Sequence, residues 1–336
     1  MARIKGREVK LEASLAELEA IAPVRRDEPM ARHTSFGIGG PADLFAMART
    51  EGQLVGLLDA ARRLGLPVFL LGHGSNILVG DRGVRSLVIW NDARAVEGPF
   101  PNGDGVLVRA QSGVSVAALA RRLARRGLAG LEWAVGVPGS LGGAVVQNAG
   151  AYGGCLADVL GRVWIWDGKE EKVVKAEDVG LSYRRSAFTD GRLAGAVVLA
   201  AELRLRPADS RELLRQISDL DRRRRREQPR GPSAGSIFKN PPQHPAWWLI
   251  DQVGLRGYRI GDAQISPQHA NFIVNLGGAM AWQVKALMDL ARRRVQEEFA
   301  IELEPEIRLV GEGFQGKAIP LRGSPGPGGS GTNGEG

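Results

Sequence analysis

A single cysteine, Cys155, stands among the 336 residues. That excludes an internal disulfide framework and a cysteine-built zinc site, and no metal site is expected. It also points to a reducing compartment, so a cytoplasmic location is expected. No run approaches the roughly 20 continuous apolar residues of a membrane helix. The N-terminal MARIKGREVKLEASLAELEA has no apolar signal core, so neither membrane attachment nor secretion by that route is expected. Aromatics are 6% of residues and are not interleaved with the basic runs, and no recognised nucleic-acid module is present. Both points argue against nucleic acid as a partner. Lysine is scarce: 8 of the 45 basic side chains, the others being arginine. Arginine favours bidentate carboxylate and phosphate partners, and the net charge of +8 steers anions. Genomic base composition or heat adaptation would produce the same bias.

Glycine, in contrast, is abundant at 46 residues, which suggests backbone loops built to approach a ligand closely. The 43% hydrophobic and 24% charged residues describe a globular chain. Periodicity predicts a helix over 12–21, and strand, glycine turn and strand over 34–47. A helix over 51–64 should follow, then strands at 68–71, 77–79 and 87–90. A polar, glycine-rich break at 97–105 leads to a strand at 106–110 and a helix capped by Ser115 and ending at Gly127. Asp167-Gly168 predicts a hairpin between 163–167 and 171–174. Residues 199–205 alternate as a half-buried strand that Pro207 closes. Helices over about 213–226 and 281–299, and an alternating strand over 301–309, complete the pattern. Five consecutive arginines, Arg222–Arg226, sweep more than a full helical turn, so at least one must face inward.

Five segments carry chemistry. Val68–Val79 (VFLLGHGSNILV) runs from a strand into Gly-x-Gly-Ser-Asn, whose backbone N–H groups suit a pyrophosphate; a plain turn between two strands is the alternative. Gly136–Gly154 (GVPGSLGGAVVQNAGAYGG) holds seven glycines. Such a stretch is costly in chain entropy and is better explained by amides pressed on a flat or anionic cofactor. Leu181–Phe188 (LSYRRSAF) is either an exposed polar loop or an arginine clamp for a carboxylate. Ser233–Pro242 (SAGSIFKNPP) carries Ser236, Lys239 and Asn240 without a hydrolase elbow. Glu306 in LEPEIRLVG falls on the polar face of its alternating strand, with Glu304 and Arg308, where a solvated carboxylate is the ordinary expectation.

HTSFGIGG, LGHGSNILV, GVPGSLGGAVVQNAGAYGG, YRRSAF, AGSIFKNP and LEPEIRLVG, in this order over about 20–312, resemble the UDP-N-acetylenolpyruvoylglucosamine reductase family. The resemblance implies an α+β chain: a two-domain FAD-binding fold of the vanillyl-alcohol-oxidase type with a C-terminal α+β substrate-binding domain. It implies FAD-binding subdomains over 1–90 and 91–208 and a substrate-binding domain over 209–312, whose last strand can return to the first subdomain. A disordered tail is expected over 313–336. It further implies FAD, NADPH as hydride donor, and UDP-N-acetylglucosamine enolpyruvate as substrate, in a monomer.

Carried over residue by residue, the resemblance makes Arg184, Ser236 and Glu306 catalytic. Gly72, His73, Gly74, Ser75 and Asn76 bind FAD, with Gly136, Val137, Pro138, Gly139, Ser140, Gly142, Gly143, Asn148, Gly150 and Ala151. Tyr183, Lys239 and Asn240 contact substrate. The short interval between Lys239 and Glu306 is similar to the compact subtype that lacks an inserted tyrosine loop. His73 lies outside the glycine-histidine pattern of covalent flavin oxidases, so noncovalent FAD is expected. Ser236 is expected to donate a proton, with Lys239, at a helical-turn spacing, or a water restoring it. The rival reading is another FAD oxidase or dehydrogenase of the same superfold, acting on a sugar or 2-hydroxy acid.

Overall fold

A computed structural model of the chain describes residues 15–315. The expected tail beyond 315 and the first residues of the expected 12–21 helix lie outside the described residues; Leu15–Glu19 are helical. Strands β1 (Val24–Pro29), β2 (Pro41–Ala48), β3 (Val68–Leu71) and β5 (Val84–Asn91) form a sheet in the order β1-β2-β5-β3, whereas β4 (Ile77–Val79) lies apart. β1 is antiparallel to β2, and the other pairs are parallel. Helix α1 (Glu51–Leu64) crosses between β2 and β3. Thr50 caps its first turn through Gln53 N–H, and Gly65, at φ 66°, ends it in the left-handed conformation. Leu54, Leu57, Ala60 and Ala61 form the stripe it buries on the sheet.

The second unit is antiparallel. β6 (Val96–Asn102), β7 (Gly105–Gln111), β11 (Leu160–Trp166), β12 (Glu171–Lys175) and β13 (Val197–Pro207) run in the order β12-β11-β13-β7-β6, and β8 (Leu128–Ala129) pairs with the end of β13. Helices α2 (Val116–Arg125) and α3 (Leu141–Gln147) share its core. A two-stranded turn, β9 (Gly150–Ala151) with β10 (Gly154–Cys155), and the short α4 (Ala176–Val179) complete it. The third unit holds α5 (Ser210–Glu227), α6 (Ala246–Gln252), the sheet β14 (Arg259–Ile260), β15 (Ala263–Ile265) and β16 (Ile273–Asn275), and α7 (Ala281–Phe299). Its core takes in Phe36, Ile38 and Leu78 from the first unit. α5 buries Leu213 and Ile217 against Ala124 and Val135 of the second. β17 (Arg308–Val310) returns to pair in parallel with β4.

Four local expectations change. The first half of 34–47 is a turn and an irregular stretch rather than a strand, because β2 finds its antiparallel partner in β1 instead. The polar break at 97–105 is mostly strand β6: an edge strand makes one ladder only and tolerates exposed polar residues and proline. Residues 199–205 are nearly all buried, not half-buried, because β13 is central in its sheet. Its Glu202 is 7% exposed and held by a bidentate Arg162. Of 301–309, only the last residues form regular strand. The arginine run behaves as helical geometry requires. Arg222, Arg223, Arg225 and Arg226 are exposed, whereas Arg224 is partly buried, its side chain leaving no room for a Cβ on Gly136.

Candidate active site

The two glycine-rich segments meet. A Cβ on Gly72 would collide with Ser140 Oγ, one on Gly74 with the carbonyl oxygen of His33, and one on Gly142 with the side chain of Ser112. Ser75 Oγ donates to the carbonyl of Pro138 at 3.2 Å, tying the first loop to the second. Among the described residues no acceptor meets the backbone N–H groups of His73, Gly74, Ser75 or Asn76. A row of such amides on a loop opened by two glycines is a cradle for an anionic group, so these residues fit a dinucleotide flavin. His73 spans the same seam, with Nε2 3.1 Å from the carbonyl of Gly113. Desolvation holds its pKa below the ordinary histidine value, so the ring is neutral at physiological pH and Nε2–H is the donor. Ser140 and Asn148 cap the two ends of α3. Asn148 also donates to the carbonyl of Ser182 at 3.0 Å and accepts from Ala157 N–H at 3.1 Å.

That contact leads to the expected arginine. Ser182 and Arg185 exchange both backbone hydrogen bonds at 3.1 Å, closing a tight turn with Tyr183 and Arg184 at its corners. Arg184 adopts φ 54°, a left-handed conformation costly for a side chain of this size. The fully buried Ser186 anchors the turn by donating to the carbonyl of Val146 at 2.7 Å. Arg184 Nε then lies 2.6 Å from Glu306 Oε1, but its N–H is not aligned with the carboxylate and has no hydrogen-bond acceptor among the described residues. The guanidinium carbon is 5.5 Å from the centre of the exposed Tyr183 ring.

Glu306 is not the solvated carboxylate that strand alternation suggests. Its side chain is 14% exposed. Burial pushes its pKa above the ordinary value, against the opposing pull of Arg184 and Lys239. The cause is tertiary. Glu306 N–H donates to the carbonyl of Ile237 at 2.8 Å, Lys239 N–H to that of Glu304 at 2.9 Å, and Phe238 bridges Pro305. The Ser236 segment therefore lies alongside Glu306, and Asn76 of the first loop donates to the Glu306 carbonyl at 3.1 Å. Residues from loops about 50 to 230 positions apart share one locus. Lys239 is placed differently from its expected role. The segment is extended, not helical, and the Lys239 ammonium pairs with Glu304, so it does not stand one helical turn from Ser236. Asn240 turns its carbonyl oxygen to Ala246 N–H at 3.0 Å, at the start of α6.

Asn271, to which the sequence assigns no role, holds this arrangement. It is 3% exposed, accepts from Phe238 N–H at 3.0 Å and donates to the Phe238 carbonyl at 2.8 Å, while its own carbonyl accepts from Ile237 N–H at 2.9 Å. An asparagine within HANFIVN is the only local signal, and an amide that bonds the backbone of Phe238, 33 positions away, is invisible to pattern. Asn271→Ala leaves two buried backbone groups unpaired, and is expected to cost about 1–3 kcal/mol of stability. Thermal unfolding of the purified protein checks this; an unchanged midpoint would remove Asn271 from this role.

Comparison with known proteins agrees with the geometry. Residues 42–176 match a family model described as FAD binding domain, and residues 227–310 match UDP-N-acetylenolpyruvoylglucosamine reductase, C-terminal domain. UDP-N-acetylenolpyruvoylglucosamine reductase 2 of Symbiobacterium thermophilum is 45% identical, over 86% of this chain and 92% of its own length. The reductase of Rubrobacter xylanophilus is 42% identical, over 88% and 98%. The crystal structure of the Thermus caldophilus enzyme is 38% identical and covers 86% of this chain and 99% of its own, with a TM-score of 0.71. At this identity and coverage, the chain belongs to the UDP-N-acetylenolpyruvoylglucosamine reductase family.

Proposed function

We propose that the chain reduces UDP-N-acetylglucosamine enolpyruvate to UDP-N-acetylmuramate at the expense of NADPH, with Arg184, Glu306 and Ser236 as the catalytic residues. The observation that carries this is the half-buried Arg184–Glu306 pair with the Ser236 segment hydrogen-bonded beside it, at the edge of the amide cradle. Reduction of an enolpyruvyl ether needs a hydride at one alkene carbon and a proton at the other. FAD, when bound, supplies the hydride, and NADPH restores it.

The protein's task is charge and protons. As hydride arrives, electron density moves into the substrate carboxylate. The Arg184 Nε–H that lacks an acceptor is the donor such a carboxylate satisfies. Glu306, its pKa raised by burial, donates a second hydrogen bond in its protonated form. Ser236 gives the proton that completes the reduction, and with Lys239 engaged by Glu304, water restores it. The half-buried pair is the reason to prefer this reading over a sugar or 2-hydroxy-acid oxidase, whose substrate oxidation calls for a base rather than two donors at a developing carboxylate anion.

The test is direct. Purified protein should be yellow, and the enolpyruvyl nucleotide-sugar should trigger stoichiometric NADPH oxidation; a yellow protein inert to it would overturn the substrate. The flavin is expected to be noncovalent, because the His73 ring is engaged with Gly113. Acid precipitation should release all yellow colour to the supernatant, and colour retained in the pellet would refute this.

A further inference from the structure

The amide cradle and the Ser236 segment are distant in the chain, yet a hydride source and a proton donor must face one alkene at a fixed separation. Asn76 ties the cradle to Glu306. The corresponding tie to the Ser236 segment is made by a residue with no part in the chemistry. Gly37 N–H donates to the carbonyl of Thr34 at 3.1 Å, closing a turn with Ser35 and Phe36 at its corners. Ser35 N–H donates to the carbonyl of Gly74 at 3.0 Å, within the first glycine loop. Its Oγ–H donates to the carbonyl of Ser233 at 2.7 Å, three residues before Ser236, and stands farther, at 3.4 Å, from the Gly74 carbonyl. The backbone of Ser35 thus holds the cradle, and its side chain holds the catalytic segment.

The turn is a firm point of attachment. The carbonyl of His33 fills the space that a Cβ on Gly74 would need. The His33 ring stacks on Phe45 with centroids 4.3 Å apart, and its Nε2 lies 2.8 Å from Oε1 of the buried Glu28. Phe36 and Ile38 are buried in the core of the third unit. Asn275 Nδ2 donates to the Phe36 carbonyl at 3.0 Å, and Asn275 N–H to that of Pro232 at 2.9 Å. The stretch that carries Ser236 is looser. Gly235, at φ 78° with open space where a Cβ would stand, separates Ser233 from Ser236. A glycine there leaves the backbone free to rotate, so the anchor at Ser233 limits how far the Ser236 hydroxyl can swing. Asn271 grips the segment on the other side, at Ile237 and Phe238.

We propose that Ser35 is a positioning residue that sets Ser236 against the cofactor cradle through its hydroxyl bond to Ser233. This rests on Ser236 as the proton donor proposed above. Removing the hydroxyl takes that partner from the Ser233 carbonyl but leaves the Ser35 N–H on Gly74, so the donor shifts while the cradle stays. Misplacing a reacting group by about 1 Å costs up to about 10²-fold in rate. Ser35 is exposed, so its truncation opens no cavity in a core.

The test is a stopped-flow double-mutant cycle on the flavin-loaded protein, with wild type, Ser35→Ala, Ser236→Ala, the double variant and Ser35→Thr. Ser35→Ala should slow flavin reoxidation by the enolpyruvyl substrate about 5- to 10²-fold. The NADPH half-reaction and the flavin dissociation constant should stay within about twofold of wild type, and Ser35→Thr, which keeps the hydroxyl, should recover most of the rate. In the Ser236→Ala background the same truncation should cost less than about twofold, because Ser35 acts through Ser236. Amide hydrogen exchange, which needs no turnover, should rise across 233–237 in Ser35→Ala and stay unchanged across 72–76. Full additivity in the cycle, an equal slowing of the NADPH step, or unaltered exchange at 233–237 would overturn the proposal. A reacting wild type matched within twofold by Ser35→Ala would refute the role of Ser35 alone. A wild-type flavin that the substrate fails to reoxidise would refute the reaction, and the role of Ser35 with it.

Discussion

Ser236→Ala is expected to slow reoxidation of the reduced flavin by the enolpyruvyl substrate about 10²–10⁴-fold, the range of a lost general acid, while leaving reduction by NADPH nearly intact. The two half-reactions separate because Ser236 lies on the segment that runs beside Glu306, not on either glycine loop. FAD binding should therefore survive the substitution. Ser236→Cys should recover part of the rate, since a thiol also donates a proton and the site is otherwise unchanged. Stopped-flow absorbance of the flavin times both steps. A variant slowed only in the NADPH step, or in neither, would make Ser236 a structural residue.

The second large effect belongs to Glu306. Glu306→Ala removes one preorganised donor to the developing carboxylate anion and is expected to raise the barrier by about 2.7–4 kcal/mol, or roughly 10²–10³-fold in kcat. The sign of the pH dependence follows from its environment. Burial raises its pKa, so the donor form persists above the ordinary carboxylate range and is lost as pH rises through the raised value. The substrate half-reaction should then fall with pH across that window, whereas the NADPH half-reaction should not follow it. Stability moves in the same direction: the contribution of the protonated group is complete below the unfolded-state pKa and disappears as pH rises through the folded one. Glu306→Gln keeps a donor and cannot ionise, so it should retain more activity than Glu306→Ala and flatten that limb. An identical alkaline limb in Glu306→Gln would assign the titration to another group.

Arg184 is the counterweight in both experiments. Its guanidinium opposes the rise in the Glu306 pKa, so Arg184→Met should move the alkaline limb to still higher pH while lowering the maximal rate. The direction of that shift separates a charge partner from a residue that only shapes the pocket, because a shape defect lowers the rate without moving the limb.

Local pattern was sufficient for a large part of the molecule. The apolar spacing over 51–64 and 281–299 matches α1 and α7, and the short apolar runs at 68–71 and 77–79 match β3 and β4. Ser115 at the start of α2 and Asp167-Gly168 between β11 and β12 also stand where cap and turn chemistry put them. These signals are local: a cap, a turn or a stripe is written within one or two turns of the chain. The glycine-rich loops belong with them, since glycine is required where backbone meets backbone, as at Gly74 against the carbonyl of His33.

Tertiary structure alone decided the rest. Alternation puts Glu306 on a polar face, yet pairing of 304–306 with 237–239 leaves it only 14% exposed, against Arg184. Glu202 reads as the wet side of a half-buried strand until β13 becomes central and Arg162 covers it. The 97–105 segment reads as a break because its pairing strand lies outside its own composition. Asn271 carries no pattern, because what it satisfies is the backbone of residues more than 30 positions away. The sequence by itself determined the family and marked the two glycine-rich segments and the Arg184, Ser236 and Glu306 motifs, because these are recorded in short motifs. Which carboxylate is buried, which arginine lacks an acceptor and which loops meet depend on contacts between distant segments, and the free energy of a buried charge exists only once those contacts exclude water.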